Sequence, residues 1–166
     1  MSDAADAAIV RVMLADFANV TDPGSKLNII GGGIVMMGYD PNIGATAAHA
    51  VVAKISFPPE FIGESPAVEL ALEHDDGSLV TLPGPMGPQF LRVGVADALK
   101  PAVVPGANVP PNTVRSSKQF VMYFASGLPL EPNKRYRWRI KIDHETRDEW
   151  TETFYVFTAD AGPVIG

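Results

Sequence analysis

Tyr136, Trp138, Ile140 and Ile142 alternate with Arg135, Arg137, Arg139 and Lys141. Apolar side chains at a spacing of two, separated by cations, reach a common core only from an extended backbone, because successive strand residues point to opposite faces. The same period recurs in "AVELALEH" (67–74), where Val68, Leu70 and Leu72 alternate with Glu69, Ala71 and Glu73. It recurs again in "AVVAKISF" (50–57), with Val51, Ala53, Ile55 and Phe57 on one face. The segments 8–17, 27–37, 79–82, 89–95, 119–125 and 149–157 are short and rich in β-branched or aromatic residues, and they read as further strands. No amphipathic helical stripe is present; residues 94–101 could supply one turn. Eight or nine strands with frequent turn signals predict one all-β domain over residues 1–166, an antiparallel β-sandwich with long Pro- and Gly-rich loops.

Turn chemistry organises these strands. Asp22-Pro23-Gly24 presets a turn between the first two and predicts a hairpin, and Asp76-Gly77 does the same after residue 74. For the last hairpin, two expectations follow from register. An even pairing sum buries Trp150, Phe154 and Val156 with Trp138. Of the even registers, the one that sets Tyr136 opposite Phe154 and Ile140 opposite Trp150 avoids placing Asp143 against Glu149 and pairs Lys141 with Glu149 and Asp143 with Arg147. Its weak point is Glu152, turned inward opposite Trp138. Three loops are long: 58–66, 82–88 and 97–118. The last carries Pro101, Pro105, Pro110 and Pro111 and is too long for an idle connector, so it is expected to be an extended arm that meets a partner.

Gly31-Gly32-Gly33 raises the question of a phosphate-binding loop. A dinucleotide fingerprint needs a glycine where Met36 stands and a helix after it, and a Walker loop needs Gly-Lys-Ser/Thr where this chain has Gly24-Ser25-Lys26. The glycines instead mark a bulge or bend in a strand, which would let the chain pass from one sheet to the other.

Other chemistry is sparse. The chain of 166 residues has no cysteine, which removes disulfides, thiolate metal sites and cysteine nucleophiles. Its 46% apolar content is that of a globular protein. The net charge of −6 argues against a general nucleic-acid binder. Residues 1–100 carry five Lys/Arg and twelve Asp/Glu, whereas 101–166 carry eight and seven, so a basic face could sit on an acidic body. Asp143, His144, Glu145, Asp148 and Glu149 form the one dense donor cluster, but they lie where a hairpin must turn, and a solvated loop outweighs a metal site. His49 and His74 are isolated, and Ser25, Ser78 and Ser126 lack a nucleophile context. Tyr136, Trp138, Trp150 and Phe154 share a phase that suits core packing better than a sugar-stacking platform. The arginines opposite them are expected to be solvated or locally paired. Asn19-Val20-Thr21 matches a glycosylation acceptor by chance only. Neither a signal peptide nor a membrane span is expected.

The opening "VRVMLADFANV", the following "GSKLNIIGGGI" and the terminal "LEPNKRYRWRIKIDHETRDEWTETFYVF" resemble an uncharacterised family of small β-sandwich proteins from bacteria and phages of actinobacteria. The resemblance covers both ends and matches the middle loosely. It carries fold information and no catalytic residue. Its phage members imply a non-enzymatic virion structural protein, a capsid decoration or minor capsid protein, located in the virion or in the host cytoplasm before assembly. The partner would be a capsid or other virion protein, or a second copy, with no cofactor, metal, nucleic acid or membrane. The candidate partner-binding residues are Pro101, Pro105, Pro110, Pro111, Arg115 and Arg137. The alternatives are a cytoplasmic bacterial module that binds a peptide or small ligand and, last, a metal-dependent hydrolase built on residues 143–149.

Overall fold

The computed structural model describes residues 2–21 and 26–159. Twelve strands follow a five-residue helix α1 (Asp3–Ala7): β1 (Ile9–Thr21), β2 (Lys26–Gly32), β3 (Met36–Asp40), β4 (Ala45–Thr46), β5 (His49–Phe57), β6 (Val68–His74), β7 (Thr81–Leu82), β8 (Gln89–Phe90), β9 (Arg92–Val95), β10 (Ser116–Phe124), β11 (Lys134–Ile142) and β12 (Thr151–Thr158). The fold is all-β, as the alternation predicts. Four strands form one sheet in the order β10-β5-β1-β2, six form a second in the order β4-β3-β12-β11-β6-β9, and β7 and β8 make a small ribbon.

The two large sheets share one apolar core. The first contributes Leu14, Val51, Ala53, Ile55 and Phe57, and the second contributes Leu70, Leu72, Trp138, Ile140, Phe154 and Val156. Phe124 of β10 stacks on Trp138 of β11 at 6.0 Å between ring centroids, which joins the layers directly. Trp138, Trp150, Tyr136 and Phe154 are all buried, so they belong to the core and offer no sugar platform.

Several details depart from the expectations. One pair is parallel: β12 runs beside β3, with Tyr155 opposite Met36 and Phe157 opposite Gly38. Parallel neighbours need no hairpin, only a chain that arrives from elsewhere, and here it arrives from the other sheet. Residues 33–35 lead from β2 in the first sheet to β3 in the second. The bend rests on a bulge, because the amides of Gly33 and Ile34 both donate to the Leu14 carbonyl, at 2.8 and 3.2 Å. Gly31 and Gly33 have φ of 65° and 94°, and a Cβ at Gly31 would run into the Asp16 carboxylate. The glycines are therefore a crossing point between sheets. Residues 94–101 do not form a helical turn, and the third long loop ends before β10 starts at Ser116.

β1 and β2 form the expected hairpin, paired up to Thr21 and Lys26; the Asp22-Pro23-Gly24 turn lies outside the described residues. Asp76-Gly77 turns the chain after β6, where the Gly77 amide donates to the His74 carbonyl at 3.0 Å. The terminal hairpin has the expected even register, with Tyr136 opposite Phe154 and Trp138 opposite Glu152. Phe154 is buried and Phe157 is 36% exposed. The ladder stops at Arg139–Thr151, so the pairs Ile140–Trp150, Lys141–Glu149 and Asp143–Arg147 do not form. Residues Asp148–Trp150 coil into a 3₁₀ turn instead and deliver Trp150 to the core from there. At the tip, Ile142 and Glu145 exchange backbone hydrogen bonds of 2.8 and 2.9 Å around Asp143 and His144, whose φ values are 50° and 69°. That is a two-residue turn of the I′ kind built without glycine, using residue types that tolerate left-handed backbone.

Candidate functional site

In the acidic cluster of residues 143–149, Asp143 and Glu145 hold other parts of the fold, while His144, Asp148 and Glu149 are exposed. Asp143 accepts hydrogen bonds from the Ser2 hydroxyl at 2.7 Å and from the Ala67 amide at 2.8 Å. Glu145 accepts one from the Ser2 amide at 3.0 Å. Arg147 donates to Asp6 at 2.6 Å and lies over the Trp150 ring at 5.1 Å. The hairpin tip therefore clasps α1, which buries Ala4 and Ala5 against the core. Among the described residues no group of three or more His, Cys, Asp or Glu has an arrangement that could hold a metal ion.

The cations of β11 also find partners, from a strand that the sequence did not associate with them. β6 lies on the other side of β11 and sets Glu73 opposite Arg137 and Glu69 opposite Lys141. Glu73, only 3% exposed, receives Arg139 Nε at 2.7 Å and Arg137 Nε at 3.3 Å, with Lys141 Nζ at 3.7 Å. Glu69 has Arg92 at 3.7 Å and Lys141 at 4.0 Å. Arg135 and Asp75, both more than half exposed, pair at 2.7 Å, and the Arg135 hydrogen bond holds the Asp75 carboxyl below its ordinary value. Arg137, a candidate contact residue, is thus engaged with a buried acid, and the local pairing expected with Glu149 falls to Glu73 instead. The readable signal was the wet face of "AVELALEH"; what it lacked was the knowledge that this face adjoins β11.

Arg115, the other charged candidate, is turned inward. Its Nη2 donates to the carbonyls of Ala7 and Ser56, at 2.9 and 2.8 Å. It belongs to a clamp at the root of the long loop. Lys118 is the centre of that clamp: buried, it donates to the carbonyls of Asp97 at 2.8 Å and Pro66 at 3.1 Å and pairs with the Asp97 carboxylate at 3.2 Å. The Ser116 hydroxyl donates to the Lys100 carbonyl at 2.6 Å, and buried Leu99 exchanges backbone hydrogen bonds with Gly63 and Glu64 at 2.9 and 2.8 Å. Lys118 and Leu99 are the residues that sequence reasoning missed, because their roles come from contacts far along the chain.

Between these roots, residues 101–114 carry no charge at all and stand in solvent. Pro101, Pro105, Pro110 and Pro111 are all exposed, as are Val103 (72%), Val104 (59%), Val109 and Val114. A turn closed by the Ala107 amide and the Val104 carbonyl at 3.0 Å, with Gly106 at φ 79°, reverses the arm. A Thr113 hydroxyl bond to the Pro110 carbonyl at 2.8 Å shapes its return. The arm curls around an open cavity of about 330 Å³ that it shares with Ile62. The structure brings the four prolines together on this arm and leaves Arg115 at its root and Arg137 on the separate β11 face.

Among the described residues no helix is long and apolar enough to cross a membrane. No protein-family model matches the chain, and no curated protein matches it in sequence.

Proposed function

We propose that this chain is a non-enzymatic structural protein of a phage virion, a capsid decoration or minor capsid protein that docks onto another virion protein through the arm of residues 101–114. One observation carries the docking reading. A fourteen-residue, uncharged, Pro- and Val-rich segment is held in water by a clamp at both roots, with Val103 and Val104 more than half exposed. Exposed apolar surface of this kind marks an interaction site, and a loop fixed at its ends loses less entropy on binding than a free tail. The virion assignment rests on the resemblance of both chain ends to phage proteins. Within the acidic cluster that could have suggested catalysis, Asp143 and Glu145 are engaged in holding Ser2 and Ala67. The cavity inside the arm supports the second reading, a module that binds a peptide or small ligand, since about 330 Å³ is at the lower end of ligand pockets.

The test is co-sedimentation with particles purified from the phage that encodes the chain. The intact protein should travel with the particles. A variant in which residues 101–114 are replaced by two glycines should melt cooperatively and stay in the supernatant; the Ser116–Lys100 contact places the roots side by side, so the short linker can close. Retained particle binding by that variant would refute the arm as the docking element. An intact chain that ignores the particles would refute the virion reading and leave the ligand-binding module.

A further inference from the structure

The four-stranded sheet turns Val10, Val12, Val51, Ile55, Phe120 and Phe124 toward the shared core. Side chains alternate along a strand, so the odd residues of β1 (9–15) and β10 (117–123) and the even residues of β5 (50–56) face away from it. This outer face contains no acid, in a chain with 19 Asp and Glu against 13 Lys and Arg. Arg11 of β1 and Lys54 of β5 lie directly opposite each other on it, and Gln119 of β10 completes the row. Both cations are exposed, and neither has a hydrogen-bond or ion-pair partner among the described residues. On β11, by contrast, Lys134, Arg135, Arg137, Arg139 and Lys141 each have an acid beside them. Like charges directly opposite destabilise a sheet. Arg11 and Lys54 do not blunt an edge, because β1 and β5 are the two inner strands. Nor does a body of net charge −6 need them to stay in solution. Next to this row, Met13, Val52 and Val121 join Ala18 and Ala50 in a small apolar cluster of their own. Beyond it Phe17 and Tyr123 stand 37% and 46% exposed, with ring centroids 5.2 Å apart.

We propose that this outer face docks an acidic segment of a partner protein. A carboxylate seats against Arg11 and Lys54, and an apolar side chain four residues along an extended segment, about 13 Å away, rests on Phe17 and Tyr123. Charge complementarity selects this occupant. The planar fork of arginine takes both oxygens of a carboxylate, and Lys54 and the Gln119 amide are further donors. The carboxylate also relieves the repulsion that the two cations carry in the free chain. Two cations match one or two carboxylates and not a polyanion. Affinity for nucleic acid grows with each phosphate neutralised, and two contacts on a body of net charge −6 leave it weak. The negative potential of an anionic membrane repels the same body. The face uses no residue of the 101–114 arm, so the two surfaces can be lost separately.

The test is an NMR titration of the full chain with a synthetic hexapeptide, Glu-Glu-Thr-Thr-Thr-Phe, capped at both ends. The amides of residues 11, 54 and 119 and the Tyr123 ring should shift saturably. The same peptide with glutamines in place of its glutamates should bind about tenfold or more weakly, as the charge-assisted bonds are lost. Lys54→Glu sets an acid opposite Arg11, so it should melt no lower than the wild type and still lose about tenfold or more in peptide binding. The variant with residues 101–114 replaced by two glycines should bind the peptide as the intact chain does. A wild-type chain without saturable shifts on this face overturns the proposal, and so does a Lys54→Glu chain that keeps full binding. A Lys54→Glu chain that melts well below the wild type overturns it too, since the cation would then serve the fold. Peptide binding lost with the arm would move the site there and overturn it. Oligothymidylate or phosphatidylserine vesicles that shift these amides more strongly than the peptide would overturn the protein partner in favour of nucleic acid or membrane.

Discussion

His49 is a buried imidazole whose chemistry is set by its surroundings. Its Nδ1 lies 2.9 Å from the Ala47 carbonyl and its ring meets Phe124 at 5.2 Å. Burial pushes its pKa below the ordinary value of 6.5, more strongly than the backbone hydrogen bond raises it. The unfolded chain therefore takes up this proton more readily than the folded one, and stability falls as pH drops. The contribution is present in full above about pH 6.5 and is lost as pH falls below that toward the depressed folded-state value. Urea unfolding at pH 7.5 and pH 5.5 should show this loss in the wild type and not in His49→Gln. Glu73 offers a second residue-scale test. Removing a buried acid strands Arg137 and Arg139 without their counter-charge, so Glu73→Ala should cost about 2–4 kcal/mol. Arg137→Ala should cost about 1 kcal/mol or less, because Arg139 keeps the closer contact with Glu73 and Arg137 is partly exposed. Equal costs for the two would show that the cations do not share the acid.

At the scale of elements, local periodicity located most strands and the inward face of β11, but residues 27–37, read as one strand, supply two in different sheets, and the polar face of β6 is covered where Ala71 and Glu73 are buried. Tyr136, Trp138, Ile140 and Ile142 are inward and the arginines outward as their alternation requires, and like-charge avoidance picked the register of the terminal hairpin. Neighbourhood was not legible. Nothing in "YRWRIKID" says that β6 lies beside it, so the Glu73 cluster stayed hidden, and a five-residue helix such as α1 is too short to show a period. The arm itself could be read from its composition, but its clamp could not, because Lys118 reaches Pro66 and Asp97 only in the folded chain. Lys118→Met keeps the buried stem and deletes three polar contacts, leaving two carbonyls with fewer donors. It should cost about 1–3 kcal/mol and speed amide exchange at residue 99 beyond what that global loss explains. The crossing between sheets makes a separate prediction: Gly31→Val should destabilise more than Gly32→Val, since Gly31 combines a positive φ with the Asp16 carboxylate and Gly32 has neither.

On the scale of the whole molecule, the question is whether two sheets of different size behave as one body. Residues of both lie in a single buried cluster, and the fully buried Trp138 is one of them. Its neighbours on the strands beside it are Leu72 and Glu152, and across the layer it meets Phe124. Burial opposite the indole also pushes the Glu152 carboxyl above its ordinary value. The indole Nε1 has no hydrogen-bond partner among the described residues, so truncating the side chain removes packing and no polar bond. Trp138→Ala should then cost about 3–5 kcal/mol through lost burial and the cavity left behind. Because that cavity opens onto both sheets, the loss should be global. Far-UV circular dichroism, which reports the strands of both layers, and the fluorescence of the remaining Trp150, whose 3₁₀ turn touches both β1 of the first sheet and β11 of the second, should shift to the same lower denaturant midpoint with an unchanged slope. A fluorescence midpoint below that of circular dichroism would mean that the contact between the sheets is lost before their strands, and the shared core would then be a contact surface between two units instead of the interior of one.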